Sequence, residues 1–155
     1  MDKVIILGRH ENETALTQLK SLGEITFFKA DVSVTKDCEN VVSSVIQKYG
    51  RIDVLANVAD VVGTRGAFVE LDLADIKNTI NINLMGTIDL SQLTAREMIK
   101  QHSGVIINVG SIDGFLANTE SIGYHASKGG VKMLTQAMSW DLSPYGIRVL
   151  SVAPG

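Results

Sequence analysis

At 155 residues, 45% of them hydrophobic and 20% charged, the chain is long enough for one domain with a sizeable core. A formal net charge of -3 argues against a surface built for nucleic acid or an anionic membrane. The lone cysteine, Cys38, excludes an internal disulfide and fits a reducing, cytoplasmic setting, no Cys/His cluster has metal-ligand spacing, and no segment reaches transmembrane length.

The first apolar run, Val4 to Leu7, is too short for a signal sequence and reads as a strand. A helical pattern from Glu11 to Leu22 follows, then a strand over Ile25 to Phe28, a helix over Thr35 to Tyr49, and a strand over Ile52 to Asn57. An irregular stretch from Ala59 to Leu71 leads into a long helix over Asp72 to Gln101 that Asp72 can cap. Val105 to Val109, a helix over Ser121 to Leu142 and Ile147 to Val152 complete the alternation. Each strand is apolar without alternation, which predicts burial on both faces. Strand alternating with helix predicts an α/β domain with a parallel sheet, right-handed crossovers and a ligand site outside the carboxyl ends of the strands.

Tyr124 and Lys128 stand four residues apart in YHASK, so on a helix they share a face. A cation beside a phenol favours phenolate and draws the tyrosine down from about 10, which suits a group exchanging a proton with a carbonyl or alcohol oxygen. Ser111, at the end of the strand 105–109, could hydrogen-bond that same oxygen. Spacing alone describes at least as well a surface aromatic and a solvated charge, and a lone serine there reads as a cap.

The motifs taken together resemble the short-chain dehydrogenase/reductase family over nearly the whole chain. DVS at Asp31 to Ser33, NVAD at Asn57 to Asp60, NINLMG around Asn83, NVGSIDG around Ser111, YHASK, and PYGIRVLSVAPG ending at Pro154 and Gly155 occur in the family's order. The resemblance implies an NAD(P)(H)-dependent oxidoreductase with Tyr124 as general acid/base and Ser111 orienting the substrate oxygen. Lys128 would hold the nicotinamide ribose and lower the tyrosine pKa, and Asn83 would anchor a relay water, though on its own it reads as a buried amide bonded to backbone. Asp31 and Val32 would flank the adenine, Asn57 and Ala59 would line the cofactor path, and Pro154 and Gly155 would lie beside the nicotinamide. His10, His102 and His125 match no catalytic position and are expected in surface or packing roles.

Against that family pattern the chain is a single partial Rossmann-like domain over residues 1–155, a three-layer sandwich lacking the family's first and last strands. No Thr-Gly-x-x-x-Gly-x-Gly turn is present to approach a pyrophosphate. The family order 3-2-1-4-5-6-7 puts the missing strand between the first and third strands of this chain. Two outcomes follow: a gap with unpaired backbone, or direct pairing of VIIL with DVLAN. Weak dinucleotide binding by this chain alone is expected, and a catalytically inactive fragment or interaction module is the alternative function. Asp60 replaces a glycine and puts a negative charge near the cofactor path, and Leu150 replaces an asparagine. Gly8 replaces the acidic ribose-binding residue, and Arg9 beside it leans toward NADP(H) over NAD(H), its alternative being a solvated turn residue. The expected partners are a small carbonyl or alcohol substrate and a second copy of the chain, through the helices near 72–101 and 121–142.

Overall fold

The computed structural model describes residues 3–21 and 23–155, and the alternation of strand and helix runs through them in the expected order. Strand β1 (Lys3–Gly8) is followed by α1 (Glu13–Lys20), β2 (Glu24–Lys29), α2 (Thr35–Tyr49) and β3 (Val54–Asn57). Then come α3 (Leu73–Ile80), α4 (Gly86–Gln101), β4 (Gly104–Val109), α5 (Ile122–Leu142) and β5 (Ile147–Val152). Side-chain chemistry sets the helix starts. Asn12 accepts from the Ala15 N–H at 3.0 Å and Asp72 from the Ala74 N–H at 2.9 Å, each satisfying a donor that the first turn leaves free. The first helix therefore begins two residues after Glu11, and its expected end at Leu22 lies outside the described residues.

The helix expected from Asp72 to Gln101 is continuous but not uniform. Between α3 and α4 lies a π-helical segment, Asn81–Met85, in which the Gly86 N–H bonds the Asn81 carbonyl five residues back. Gly86 then packs directly on Val32, where a Cβ would lie 2.9 Å from the Val32 carbonyl oxygen. That contact fastens the helix pair to the end of β2. A core of Val32, Cys38, Val42, Ile82 and Leu90 seals the junction, and each large aliphatic chain buried there contributes about 1.5–3 kcal/mol.

Every strand pairing is parallel, but the strands form two sheets, β1–β2 and β3–β4–β5. Of the two outcomes open to the sequence, the protein takes the gap. Between β1 and β3 lies a cavity of about 1000 Å³, with residues 3–7 on one wall and 53–59 on the other.

Burial of every strand on both faces is overturned. Ile106, Ile147 and Val149 lie under Ala95 and Met98 of α4 and Met138 and Leu142 of α5. On the opposite face, Val54 is 57% exposed and Leu150 51% exposed. Both helices that pack on these three strands lie on the Ile106 side, so the apolar residues of the second face are open. Continuous apolar runs correctly marked strands, but could not show which layers cover them. Among the described residues, no helix is long and apolar enough to cross a membrane.

Candidate active site

The carboxyl ends of β3 and β4 meet the first turns of α5. Ser111, 8% exposed, lies two residues past the end of β4, and its Oγ accepts from the Asp113 N–H at 3.1 Å. The short turn behind it sits hard on α5: a Cβ on Gly114 would lie 2.8 Å from the Lys128 carbonyl oxygen. The chain after β5 passes alongside, with the Ile112 N–H donating to the Pro154 carbonyl at 2.9 Å. Gly155 comes next to the Ile112 side chain. Ser111, Tyr124, Lys128, Pro154 and Gly155, chosen from the sequence, are thus brought to one end of the sheet.

Lys128 is 2% exposed, and its ammonium donates to the Val109 carbonyl at 2.9 Å and lies 3.1 Å from Asp60 Oδ1. The same carboxylate accepts from the Tyr124 phenol through Oδ2 at 3.1 Å. Lys128 stands 5.4 Å from the centre of the Tyr124 ring. Asp60 therefore joins the two residues that the sequence placed four apart.

This geometry corrects the expected effect of Lys128 on the tyrosine. The Tyr124 pKa lies above its ordinary value, not below it. Burial is the largest cause; Ser111 favours phenolate, but the charge and hydrogen bond of Asp60, with Asp113 further off, oppose ionisation. The ammonium that was expected to stabilise phenolate is paired with a carboxylate that destabilises it.

Asn83 is 1% exposed within the π-helical segment. Its Oδ1 accepts from the Val61 N–H at 2.9 Å, and its Nδ2 donates to the Val61 carbonyl at 2.8 Å and to Ser127 Oγ at 3.1 Å. With both ends of the amide engaged, the side chain pins the strand-following loop that carries Asp60. That is the arrangement of the buried-amide alternative.

Just past β2, Asp31 Oδ1 accepts from the Ser33 N–H at 2.9 Å and the Ser33 hydroxyl at 2.7 Å. These bonds, the hydroxyl first, hold its carboxyl below the ordinary range against the pull of burial, with Arg9 adding its positive charge. Arg9 thus lies within electrostatic reach of Asp31. Val32 is 8% exposed with its side chain in the core, and Ala59 is exposed just past β3.

Asn57 belongs to a buried ladder the sequence reading missed. Its Nδ2 donates to Ser91 Oγ and Asn108 Oδ1, each at 2.9 Å, and Asn108 Nδ2 donates to Thr135 Oγ1 at 2.9 Å. An asparagine inside the apolar run VIINV was the available signal, since a buried amide needs partners. The histidines take structural places: His10 is exposed, His102 ends α4 with φ 54°, and His125 accepts from the Asn118 N–H at 3.1 Å.

A dinucleotide fits the arrangement at one end. Ser111, Tyr124 and Lys128 present hydroxyls and an ammonium together, as the reacting end requires, once Asp60 yields Lys128. Among the described residues, no helix opens on the glycine-rich turn that a pyrophosphate requires.

The family described as short chain dehydrogenase matches residues 2–155. An uncharacterized oxidoreductase of Thermotoga maritima is 36% identical over 155 residues, covering 97% of this chain and 60% of that protein. The 3-oxoacyl-[acyl-carrier-protein] reductase FabG of the same organism is 40% identical over 134 residues, 86% of this chain and 54% of that one. Among solved structures, NAD+-bound xylitol dehydrogenase superposes with a TM-score of 0.91 at 28% identity, over 99% of this chain and 60% of its own. ElxO with NADP bound gives 0.92 at 32% identity, over 98% and 62%. The chain thus spans about 60% of the length of the first of these relatives.

Proposed function

Because the chain belongs to the short-chain dehydrogenase family, we propose that it carries the proton-transfer end of an oxidoreductase interconverting a carbonyl and a secondary alcohol. The convergence of Ser111, Tyr124 and Lys128 at the carboxyl ends of the strands carries this reading. Tyr124 gives its phenolic proton to a carbonyl oxygen in reduction and takes one back in oxidation, and its raised pKa keeps that proton available at neutral pH. Ser111 hydrogen-bonds the same oxygen and holds it against the phenol. Lys128, released from Asp60, binds the nicotinamide ribose hydroxyls, and Asn83 positions the loop that carries Asp60. A bound nicotinamide supplies the hydride.

Pro154 and Gly155 border the nicotinamide, Asn57 and Ala59 border the cofactor path, and Asp31 and Val32 border the adenine. Arg9 favours a 2′-phosphate, and so NADP(H), because Gly8 leaves no carboxylate to bind a ribose 2′-hydroxyl. The substrate is a small carbonyl or alcohol compound. The outward side of α5, with Met133 59% and Trp140 81% exposed at a seven-residue spacing, supports self-association through this helix. The lone cysteine supports a reducing, cytoplasmic setting.

Turnover of NADPH by the 155-residue chain, with a 3-oxoacyl thioester and a ketopentose as probes, tests the reading. Cofactor is supplied at millimolar concentration because no pyrophosphate turn is present. Tyr124→Phe is expected to lower the rate at least about 100-fold, the scale of general acid catalysis. Unchanged turnover in that variant, or no turnover with cofactor demonstrably bound, would overturn the assignment.

A further inference from the structure

We propose that His125 is a positioning residue of the candidate active site: as a neutral imidazole it ties the segment 113–121 to the first turn of α5, and it lets that segment go when it takes a second proton. The inference rests on the reading of Ser111 and Tyr124 as the reacting pair, because this segment joins the one to the other.

The partners of the ring assign its protons. Nδ1 lies 2.6 Å from the Ser121 carbonyl, an oxygen that only accepts, so Nδ1 carries a hydrogen and donates it. Nε2 accepts from the Asn118 N–H at 3.1 Å, a group that only donates, so Nε2 carries none. One neutral tautomer satisfies both contacts, the one with its proton on Nδ1. The side chain is 13% exposed, which leaves water little access to replace either partner.

A second proton inverts one of these contacts. With hydrogens on both nitrogens, Nε2–H meets the Asn118 N–H donor to donor, and that tie is lost. Among the described residues, Asp113 is the carboxylate within ion-pair distance of the ring, its Oδ1 3.7 Å from Nε2. That oxygen already accepts from Asn118 Nδ2 at 3.1 Å, so the charged ring competes with the Asn118 side chain as well. The remaining charged groups nearby are engaged elsewhere or open to water. On α5, Lys128 and Tyr124 both bond Asp60, and Lys132 lies 4.2 Å over the Phe115 ring. On α3, which meets Gly123 through Ile76 and Thr79, Asp75 accepts from the Thr64 N–H; Glu120 is exposed.

The tie bears on the site at both of its ends. The Asp113 N–H donates to Ser111 Oγ at 3.1 Å, so the residue drawn toward a charged ring is the one that holds the serine hydroxyl. At the other end, Glu120 keeps φ 71° without being glycine, a conformation that persists only where its surroundings fix it. Its carbonyl accepts from the Gly66 N–H at 3.2 Å, and the next carbonyl, of Ser121, accepts from His125. Release of Asn118 frees the chain just ahead of that strained residue and lets it relax, four positions before Tyr124. Protonation therefore loosens the alignment of serine and tyrosine.

The test uses the 15N-labelled 155-residue chain without cofactor. Long-range 1H–15N spectra near pH 8, with the His125 ring assigned by its loss in H125Q, are expected to show the neutral proton on Nδ1. Glutamine offers the Asn118 N–H an acceptor that takes no proton in this range. The hydrogen-exchange protection factor of Asn118 is expected to fall about tenfold or more between about pH 8 and about pH 5 in the parent and to stay level in H125Q. Turnover, measured as for the proposed function, should fall over the same range through kcat in the parent and not in H125Q, and H125A should be about tenfold slower throughout. A neutral proton on Nε2, or Asn118 protection that follows one course in parent and H125Q, overturns the inference, as does one pH profile of turnover for both. Absence of turnover in every protein counts against the proposed function alone, because the spectra and the exchange decide this inference without it.

Discussion

The Asp60 carboxylate accepts the Tyr124 phenolic proton at 3.1 Å while its other oxygen lies 3.1 Å from the Lys128 ammonium. Position 60 thus decides the electrostatics of a pair that lies 64 residues further along the chain. A neutral residue there would leave the buried ammonium facing the phenol without a competing negative charge. With aspartate, the same ammonium is compensated and the phenol is held as a hydrogen-bond donor.

Removing the carboxylate is therefore expected to lower the Tyr124 pKa. D60G abolishes a hydrogen bond and a charge that both favour the neutral phenol, leaving Ser111 and a freed Lys128 to favour phenolate against burial. Ultraviolet difference titration, with Y124F subtracted to remove Tyr49 and Tyr145, should show the Tyr124 transition at lower pH in D60G than in the parent. An unmoved transition would mean that Asp60 does not govern it.

The raised tyrosine pKa also has a stability consequence of definite sign. Because the folded state binds this proton more tightly than the unfolded chain, the contribution is complete below the ordinary tyrosine value of about 10. It disappears as pH rises through the higher folded value. The parent should then lose unfolding temperature more steeply than Y124F above about pH 10, measured by thermal denaturation in matched alkaline buffers. Parallel slopes would show no linkage at this residue.

Lys128 and Asp60 should differ in what they cost when removed. Lys128 is 2% exposed, and its loss leaves the Val109 carbonyl without its donor, whereas the Asp60 side chain, 30% exposed, supplies the counter-charge of that buried ammonium. K128M keeps the buried methylenes and deletes the charge, and is expected to destabilise by about 1–3 kcal/mol. D60N, which leaves the buried ammonium without its counter-charge, should cost more. Urea denaturation of both variants checks the order, and equal losses would show that the pair acts only as a unit.

The elements were legible because each has a strong local signal. VIIL, VIINV and IRVLSV are apolar runs of strand length, and Asp72 and Gly50 cap helices by chemistry that operates within one turn. The gap between β1 and β3 was legible as one of two outcomes, since strand order limited the choices but not the spacing. Ser111, Tyr124 and Lys128 came from the family resemblance, and helical period showed only that Tyr124 and Lys128 share one face of α5. Asp60 was seen as a charge near the cofactor path, but its two partners depend on how the loop after β3 folds over α5. Asn83, whose amide holds that loop through Val61, shows the same limit: its contacts are tertiary and leave no periodic trace.

Cys38 offers a probe of opening in the domain. Fully buried on the inner side of α2, it has its thiol pKa pushed up to about 11, by burial first and by Asp89 and Asp37 next. Both its access and its thiolate fraction are therefore low near neutral pH. Native protein should react with an aromatic disulfide reagent only at the rate of structural opening, and urea should bring that rate to the free-thiol value. Immediate stoichiometric labelling without denaturant would contradict the packing around α2.

The amide ladder across Asn57, Asn108 and Thr135 is the last test, because it ties the strand ends to α5. Asn108 is 0% exposed, accepts from Asn57 and donates to Thr135, while Thr135 Oγ1 itself donates to the Val131 carbonyl. Replacing Asn108 by leucine takes away both bonds but leaves Asn57 its donation to Ser91 and Thr135 its own donation, so the unmet polar capacity is confined to the facing atoms. Each buried group left unsatisfied costs about 1–3 kcal/mol, and the added apolar contact offsets part of it. N108L is expected to fold with an unfolding free energy lowered by roughly that amount, while N108L/T135V, with the facing hydroxyl also removed, should recover part of the loss. A double variant no more stable than N108L would show that the ladder contributes through packing instead of hydrogen bonding.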